Sequence, residues 1–330
     1  MNTKDHVLAT LINATEPVSG EAIGSVLGVS RAAVNAAIAS LRDDGYEIAS
    51  APRRGYELLN APDRLGVGEI AAYYYPDEVS DRFDRVLVLD EIDSTNRLLM
   101  QMAGEGAPDR QVIIADHQSA GRGRLGRDFS SPAGMGVYLS YLIKPDGRLG
   151  AAAWTAVTSW TAVAVSDAIE RVTGLRPHIK WVNDLYLNDK KICGILTQMD
   201  MDAESGEVRS IVIGIGVNVN ERKSDFNKEI RDIAGSLRMA AGKRVNRAHL
   251  AAEMIRALDT MYDAWPEDHE RYLRAYREAS LLPGQKINVI SGNVTQKAMA
   301  LSVGEDFSLK VRYEDGKTES LSGGEVSIRM

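Results

Sequence analysis

Three arginines, Arg122, Arg124 and Arg127, fall within six residues and are interleaved with Gly121, Gly123 and Gly126. Crowded guanidiniums repel one another unless an anion sits among them, and the glycines let backbone N–H groups come close to that anion. The run suits phosphate and carboxylate groups. It also spells G-x-G-x-x-G, but a dinucleotide site needs a helix directly behind that motif. Here Asp128-Phe129-Ser-Ser-Pro132-Ala-Gly134 follows and then a strand-like run, so the dinucleotide reading fails. The complete Walker pattern G-x-x-x-x-G-K-[ST] does not occur either.

Three more clusters carry chemistry-bearing residues. Lys180-Trp181-Val182-Asn183-Asp184 leads into Asn188-Asp-Lys190-Lys191 and Ile192-Cys-Gly194. Strand alternation puts Lys190 and Lys191 on opposite faces, so only one can point onto the sheet. Gly214-Ile-Gly216-Val-Asn218 is an apolar strand opened by two glycines, where something must approach the backbone. Asp93-Ser94-Thr95-Asn96 opens a helix, and N-capping accounts for at least one of those side chains. Taken singly, each has an ordinary structural explanation.

The elements that must position these groups follow from periodicity. Arg85–Leu89, Gln111–Ala115, Val137–Ile143, Ile192–Gln198 and Ile211–Val219 alternate as strands, while Thr95–Ala103 and Leu149–Val172 repeat as helices. The hairpin Asp184–Leu187 into Lys191–Leu196 predicts a mixed or antiparallel sheet rather than a doubly wound one. The fold class is therefore α+β.

The first sixty residues form a separate unit. Val7, Leu8, Leu11 and Ile12 share one helical face, and Pro17 ends that helix. Ser19 caps a second helix through Leu27, Gly28-Val29 turns, and Ser30 caps a third to about Arg42. That spacing, with Ile23, Gly24 and Val34, fits helix-turn-helix geometry. Tyr46-Glu-Ile48 and Tyr56-Glu-Leu58 then make a hairpin whose turn holds Pro52-Arg53-Arg54-Gly55, a wing that sets two guanidiniums on phosphates. Arg31 and Asn35 on the solvent face of the third helix are residue types that read guanine and adenine edges. Five Lys/Arg face seven Asp/Glu over residues 1–60, so non-specific DNA affinity is weak and pairing of two copies is needed.

Composition bounds the rest. At 330 residues the chain suits two or three domains, and 44% hydrophobic with 26% charged residues marks a globular protein. One cysteine excludes an internal disulfide and a multi-thiolate metal site, and five scattered histidines lack ligand spacing. The net charge of −7 confines any nucleic-acid binding to a local patch. The first residues, Met1-Asn-Thr-Lys-Asp-His6, lack a basic stretch feeding a long apolar one, so no export signal is expected. The 18-residue uncharged run Leu149–Ser166 is alanine-rich with five hydroxyls, which suits a helix buried against a sheet better than a membrane span. A cytoplasmic protein without membrane association is expected.

In order, Asp93-Ser-Thr-Asn96, Gln118-Ser-Ala-Gly-Arg-Gly-Arg124, Lys180-Trp-Val-Asn-Asp184, Lys191-Ile-Cys-Gly-Ile-Leu196 and Gly214-Ile-Gly-Val-Asn218 resemble biotin protein ligases. With the winged helix in front, the chain is similar to the bifunctional biotin ligases and biotin operon repressors of bacteria. The resemblance implies a winged helix-turn-helix over residues 1–62, a catalytic domain over 63–281 with a mixed sheet related to class II synthetase cores, and an SH3-like barrel over 282–330. Short runs from Gly284 onward, with turns at Ser291-Gly-Asn293 and Glu314-Asp-Gly316, fit that barrel.

The same resemblance implies ATP-dependent activation of biotin to biotinyl-5′-AMP, with Mg2+ on the nucleotide phosphates. Transfer to a lysine of the biotin carboxyl carrier protein of acetyl-CoA carboxylase follows. It assigns Ser94, Thr95, Asn96, Gln118, Arg122, Gly123, Arg124, Lys191 and Gly194 to biotin, and catalysis to Arg122, Arg124, Lys191 and Asp184. It assigns Arg127, Phe129, Asn183, Gly214, Gly216 and Asn218 to the ATP or adenylate end, with Asn183 near the metal. Glu221–Ala234 becomes a loop that orders over the ligand. No protein cage for the metal is implied. Ser30, Arg31, Asn35, Arg53 and Arg54 would meet operator DNA, in a homodimer that forms on adenylate binding. The chain departs from its relatives at Val182, where proline is typical, at Leu125, where arginines often continue, and at Phe129, where tryptophan is common. These changes bear on adenylate affinity and dimer strength. A biotin sensor without ligase activity, and a lipoate or other acyl-adenylating ligase, remain as alternatives.

Overall fold

The computed structural model describes residues 1–51, 54–74, 81–147, 149–291 and 294–328. Arg53, and Gly292 and Asn293 of the expected barrel turn, lie outside the described residues.

Three helices begin the chain: α1 (Thr3–Asn13), α2 (Gly20–Leu27) and α3 (Arg31–Asp43). Ser19 Oγ accepts the Ala22 N–H and Ser30 Oγ accepts the Ala33 N–H, so both expected caps form. Gly28 takes φ 65°, a left-handed conformation that only glycine adopts at little cost, and stops α2. The axes of α2 and α3 then differ by 108°, within the range of DNA-binding helix-turn-helix pairs. β1 (Glu47–Ala51) and β2 (Gly55–Asn60) pair antiparallel as the wing, and Tyr56 exchanges two backbone hydrogen bonds with Val18. Val7, Leu11, Ile23, Val34, Ile38 and Leu41 close a separate core beneath.

The wing leads through Asp63 to α4 (Val67–Tyr74), a helix that sequence periodicity did not reveal. Next come β3 (Val86–Ile92), α5 (Thr95–Gly104), β4 (Val112–Gln118), β5 (Val137–Ile143), α6 (Val157–Thr173), β6 (His178–Lys180), β7 (Asp184–Leu187), β8 (Lys190–Met201) and β9 (Val208–Val217). The strands form one sheet in the order β3-β4-β5-β9-β8-β7-β6, parallel only between β3 and β4. Alternation across the pleat decides which helix covers which face. Ile113, Leu142 and Val212 point to one side with Leu99 of α5. Val112, Ile114, Tyr141 and Ile213 point to the other, against α6 and the later α8. The uncharged run at 149–166 is a short 3-10 turn followed by the buried α6, as expected. Among the described residues no single helix is long and apolar enough to cross a membrane.

Beyond the sheet lie α7 (Leu237–Ala241), α8 (Arg247–Asp263) and α9 (His269–Ala279). The chain ends in a five-stranded antiparallel sheet of β10 (Lys286–Ser291), β11 (Val294–Val303), β12 (Leu309–Tyr313), β13 (Thr318–Leu321) and β14 (Glu325–Ile328), ordered β13-β12-β11-β10-β14. Trp181 ties it to the central sheet by donating its indole N–H to Phe307 O at 2.9 Å.

Candidate active site

The start of α5, the glycine-arginine loop, the β7–β8 hairpin, β9 and the stretch after it converge on one cavity of about 300 Å³. Every residue that the family resemblance assigns to biotin, ATP or catalysis lines it: Ser94, Thr95, Asn96, Gln118, Arg122, Gly123, Arg124, Arg127, Phe129, Asn183, Asp184, Lys191, Gly194, Gly214, Gly216 and Asn218.

Its floor is a buried polar chain. Ser94 stands at the N-cap of α5, yet its side chain makes no capping bond, contrary to expectation. Gln118 takes that role from β4: its Oε1 accepts the Thr95 backbone N–H at 2.9 Å, and its Nε2 donates to Ser131 Oγ at 3.0 Å. Ser140 Oγ lies 2.8 Å from Thr95 Oγ1 and 2.6 Å from Asn96 Oδ1, while Asn96 Nδ2 donates to Gln198 Oε1 at 2.9 Å. Satisfied networks of this kind hold their members in fixed orientations.

The two glycines of β9 open the backbone to the protein's own side chains. A Cβ on Gly214 would overlap the Asn96 amide, and one on Gly216 would lie 2.6 Å from Phe129 Cζ. Asn96 and Phe129 occupy the approaches that the missing side chains leave.

Cations gather on the facing wall. Arg124 donates from Nη1 to Asn183 Oδ1 at 2.9 Å and from Nη2 to Gly324 O at 2.7 Å, which fixes the loop to both the central and the C-terminal sheet. Asn183, expected toward phosphate or metal, spends its Oδ1 on Arg124 and its Nδ2 on Ile195 O. Arg122 and Arg127 are exposed at the mouth. Leu125, in the gap left by the shorter arginine run, has φ 57° and is 75% exposed. Lys191 Nζ lies 2.7 Å from Asp184 Oδ1, an ion pair whose angle does not make a hydrogen bond. Lys190 turns to the opposite face and donates to Asp232 O, as alternation requires.

The stretch 221–234 forms another wall. Its Lys223–Asp225 segment is a 3-10 turn, Lys191 N–H donates to Ile233 O, and Gly235 N–H donates to Lys191 O. From this stretch the cavity takes the apolar Phe226, Ile230, Ile233 and Ala234. Asn218 is buried and donates to Gly235 O. Gly324 and Val326 of the C-terminal segment also line the cavity, and no motif announced them. Among the described residues no cluster of three His, Cys, Asp or Glu gathers that would hold a metal.

In the winged helix, Arg31 and Asn35 are exposed on α3 and Arg54 on the wing. Asn35 Oδ1 accepts the Tyr56 hydroxyl at 2.7 Å, so the amide meant to read a base is held by the wing.

Comparison with known proteins agrees with this geometry. Residues 88–218 match the biotin/lipoate A/B protein ligase family, and residues 3–57 match a helix-turn-helix domain. The chain is 39% identical to the bifunctional ligase/repressor BirA of Bacillus subtilis over 75% of this chain and 74% of that one. It is 30% identical to BirA of Escherichia coli over 99% and 98%. The biotin protein ligase of Aquifex aeolicus, solved with biotin and ATP, superposes with a TM-score of 0.63 at 25% identity, covering 74% of this chain and 99% of that one. The chain belongs to the biotin/lipoate A/B protein ligase family, as a member with a helix-turn-helix domain ahead of its ligase sheet.

Proposed function

We propose that the protein is a biotin protein ligase that also represses transcription from operator DNA. The observation that carries the ligase reading is the convergence of the Arg122–Arg127 loop, the Lys191–Asp184 pair and the polar floor on one cavity.

Joining a carboxylate to the α-phosphate of ATP brings like charges together, so the site must hold both with fixed cations and dipoles. Arg122 and Arg124 flank glycine N–H groups on one side. Lys191, a compact point charge, balances the charge that develops between carboxylate and phosphate. Biotin's carboxylate oxygen bonds to phosphorus and pyrophosphate departs. An acceptor lysine amine then attacks the acyl carbon of biotinyl-5′-AMP and AMP leaves. As the anionic adenylate draws Lys191 toward itself, the Asp184 carboxylate is released to align that amine. A magnesium ion bound with the nucleotide would supply neutralisation of the pyrophosphate charge. Asn183 would help hold such an ion, its Oδ1 keeping a second lone pair beside the bond it accepts from Arg124. The Gln118, Thr95 and Asn96 floor holds biotin's polar ring end, and Phe226, Ile230 and Ile233 cover the adenylate.

The acceptor is the biotin carboxyl carrier protein of acetyl-CoA carboxylase, and biotinyl-5′-AMP is the corepressor that favours a homodimer able to span a two-fold operator. We read residues 1–62, 63–281 and 282–330 as reader, ligase core and SH3-like barrel. Incubation with ATP, magnesium, biotin and an acceptor domain tests the reading, with lipoate as control. Biotinylated acceptor is expected. Transfer of lipoate alone would replace the substrate, and no product at all would leave a sensor.

A further inference from the structure

The cavity's walls and the linker from the winged helix meet at one buried guanidinium. Arg247, the first residue of α8, is 1% exposed. Its Nε donates to Asp63 Oδ1 at 3.0 Å, its Nη2 to Asp63 O at 2.8 Å, and its Nη1 to Asp116 Oδ1 at 2.6 Å. Asp63 is the linker residue between the wing and α4. Asn220 Nδ2 also donates to Asp63 Oδ2 at 3.1 Å, and Arg244 pairs with the same oxygen.

Each partner runs on into the cavity. Asp116 is two residues before Gln118 on β4, and its Oδ2 accepts the Gly134 N–H at 3.0 Å, at the exit of the glycine-arginine loop. Asn220 starts the stretch that supplies Phe226, Ile230 and Ile233, and its own N–H donates to Met135 O. On the other side, α4 passes any displacement of Asp63 to the reader. Asn13 of α1 donates to Ala72 O, and Tyr46 donates to the buried Glu69. A buried arginine with two carboxylate partners is costly to leave half-paired, so these segments move together or not at all.

We propose that Arg247 and Asp63 form a positioning relay that couples occupancy of the cavity to the placement of the winged helix within one chain. The idea rests on the ligase reading for its ligand, but its wiring does not. Asp63 touches neither the cavity nor the DNA-reading face, so biotin transfer should stay near its original rate in Asp63→Ala.

Hydrogen–deuterium exchange on the full chain tests the relay in two arms. Without ligand, Asp63→Ala is expected to speed exchange across 131–136 and 222–233. A change confined to 60–67 would overturn the proposal. With biotin, ATP and magnesium, the original protein is expected to slow exchange in α1–α3 as well as at the cavity. In Asp63→Ala the slowing at the cavity should persist while that in α1–α3 falls at least fivefold, and Asp63→Asn, which keeps an acceptor for Arg247, should recover part of it. An undiminished response in Asp63→Ala, or a ligand-bound original protein whose reader does not respond, counts against the relay while leaving the ligase intact. If calorimetry finds no biotin binding, the ligase reading fails and the ligand-free arm alone decides the relay.

Discussion

Asp184 Oδ1 and Lys191 Nζ stand 2.7 Å apart across the β7–β8 hairpin, at the place where the register slips between Leu185 and Tyr186. The bulge turns Lys191 inward, onto the same face as the carboxylate, and leaves Lys190 outside. Each charge satisfies the other until an anion competes for the ammonium.

Under the proposed mechanism the pair would serve two steps that can be measured apart. Lys191→Ala should slow biotin-dependent pyrophosphate release by about 10²–10³-fold, the typical loss on removing one donor from a developing charge. Asp184→Asn should spare that release and slow transfer to the acceptor domain. Equal losses in both steps for Asp184→Asn would remove its assignment to the second.

Arg124 bridges two sheets with two separate N–H donors, a geometry that lysine cannot reproduce. Arg124→Lys should raise the KM for biotin by roughly tenfold with a smaller change in kcat, about 1.4 kcal/mol of lost binding. Saturation kinetics in biotin at fixed ATP check this.

Gly216→Ala should displace the Phe129 ring, because the new methyl would lie 2.6 Å from Cζ. Overpacking of this kind costs about 1–3 kcal/mol. The variant should unfold at lower denaturant and bind biotin plus ATP more weakly. Phe129→Ala in the same chain should recover part of the stability, which a double-mutant cycle would read.

The motif residues were legible because each class left a mark in the sequence: glycines where backbones are approached, arginines crowded on one loop, alternation where one lysine must face inward. Strand β5 was read to the residue because every one of its positions is buried and all but Ser140 are hydrophobic. What stayed hidden is non-local. Arg247 meets Asp63 and Asp116 across 184 and 131 residues, and no periodicity records such a meeting. Helix α4 escaped because it is apolar over much of its surface, being wedged between α1 and α8, and so shows little helical contrast. The purpose of Gly214 and Gly216 was half visible. Their spacing called for a close approach, but only the fold says that Asn96 and Phe129 make it.

On DNA, Arg31 and Arg54 should fail differently. Arg31→Ala removes a side chain suited to a guanine edge and should cost about 1–3 kcal/mol at the operator while relaxing its sequence preference. Arg54→Ala should weaken binding evenly across sequences and lower the slope of log affinity against log salt by about one. Fluorescence anisotropy over a salt series, with operator and scrambled duplexes, separates the two.

The last expectation concerns pH. Burial pushes the Glu221 carboxyl up to about 7, with neighbouring Asp225 adding to the rise and Arg247 opposing it. Burial pushes Glu69, under the reader, up to about 7 as well. A carboxyl whose folded value is raised keeps its proton where the unfolded chain has lost it. The folded state is therefore favoured near pH 5, loses ground as pH rises toward 7, and stays penalised above that. Glutamine mimics the protonated form, so Glu221→Gln should stabilise the protein at pH 8 by up to about 3 kcal/mol and change little at pH 5. Denaturant titrations at both pH values decide it. A gain of equal size at pH 5 would mean that the charge of Glu221 is not what the burial penalises.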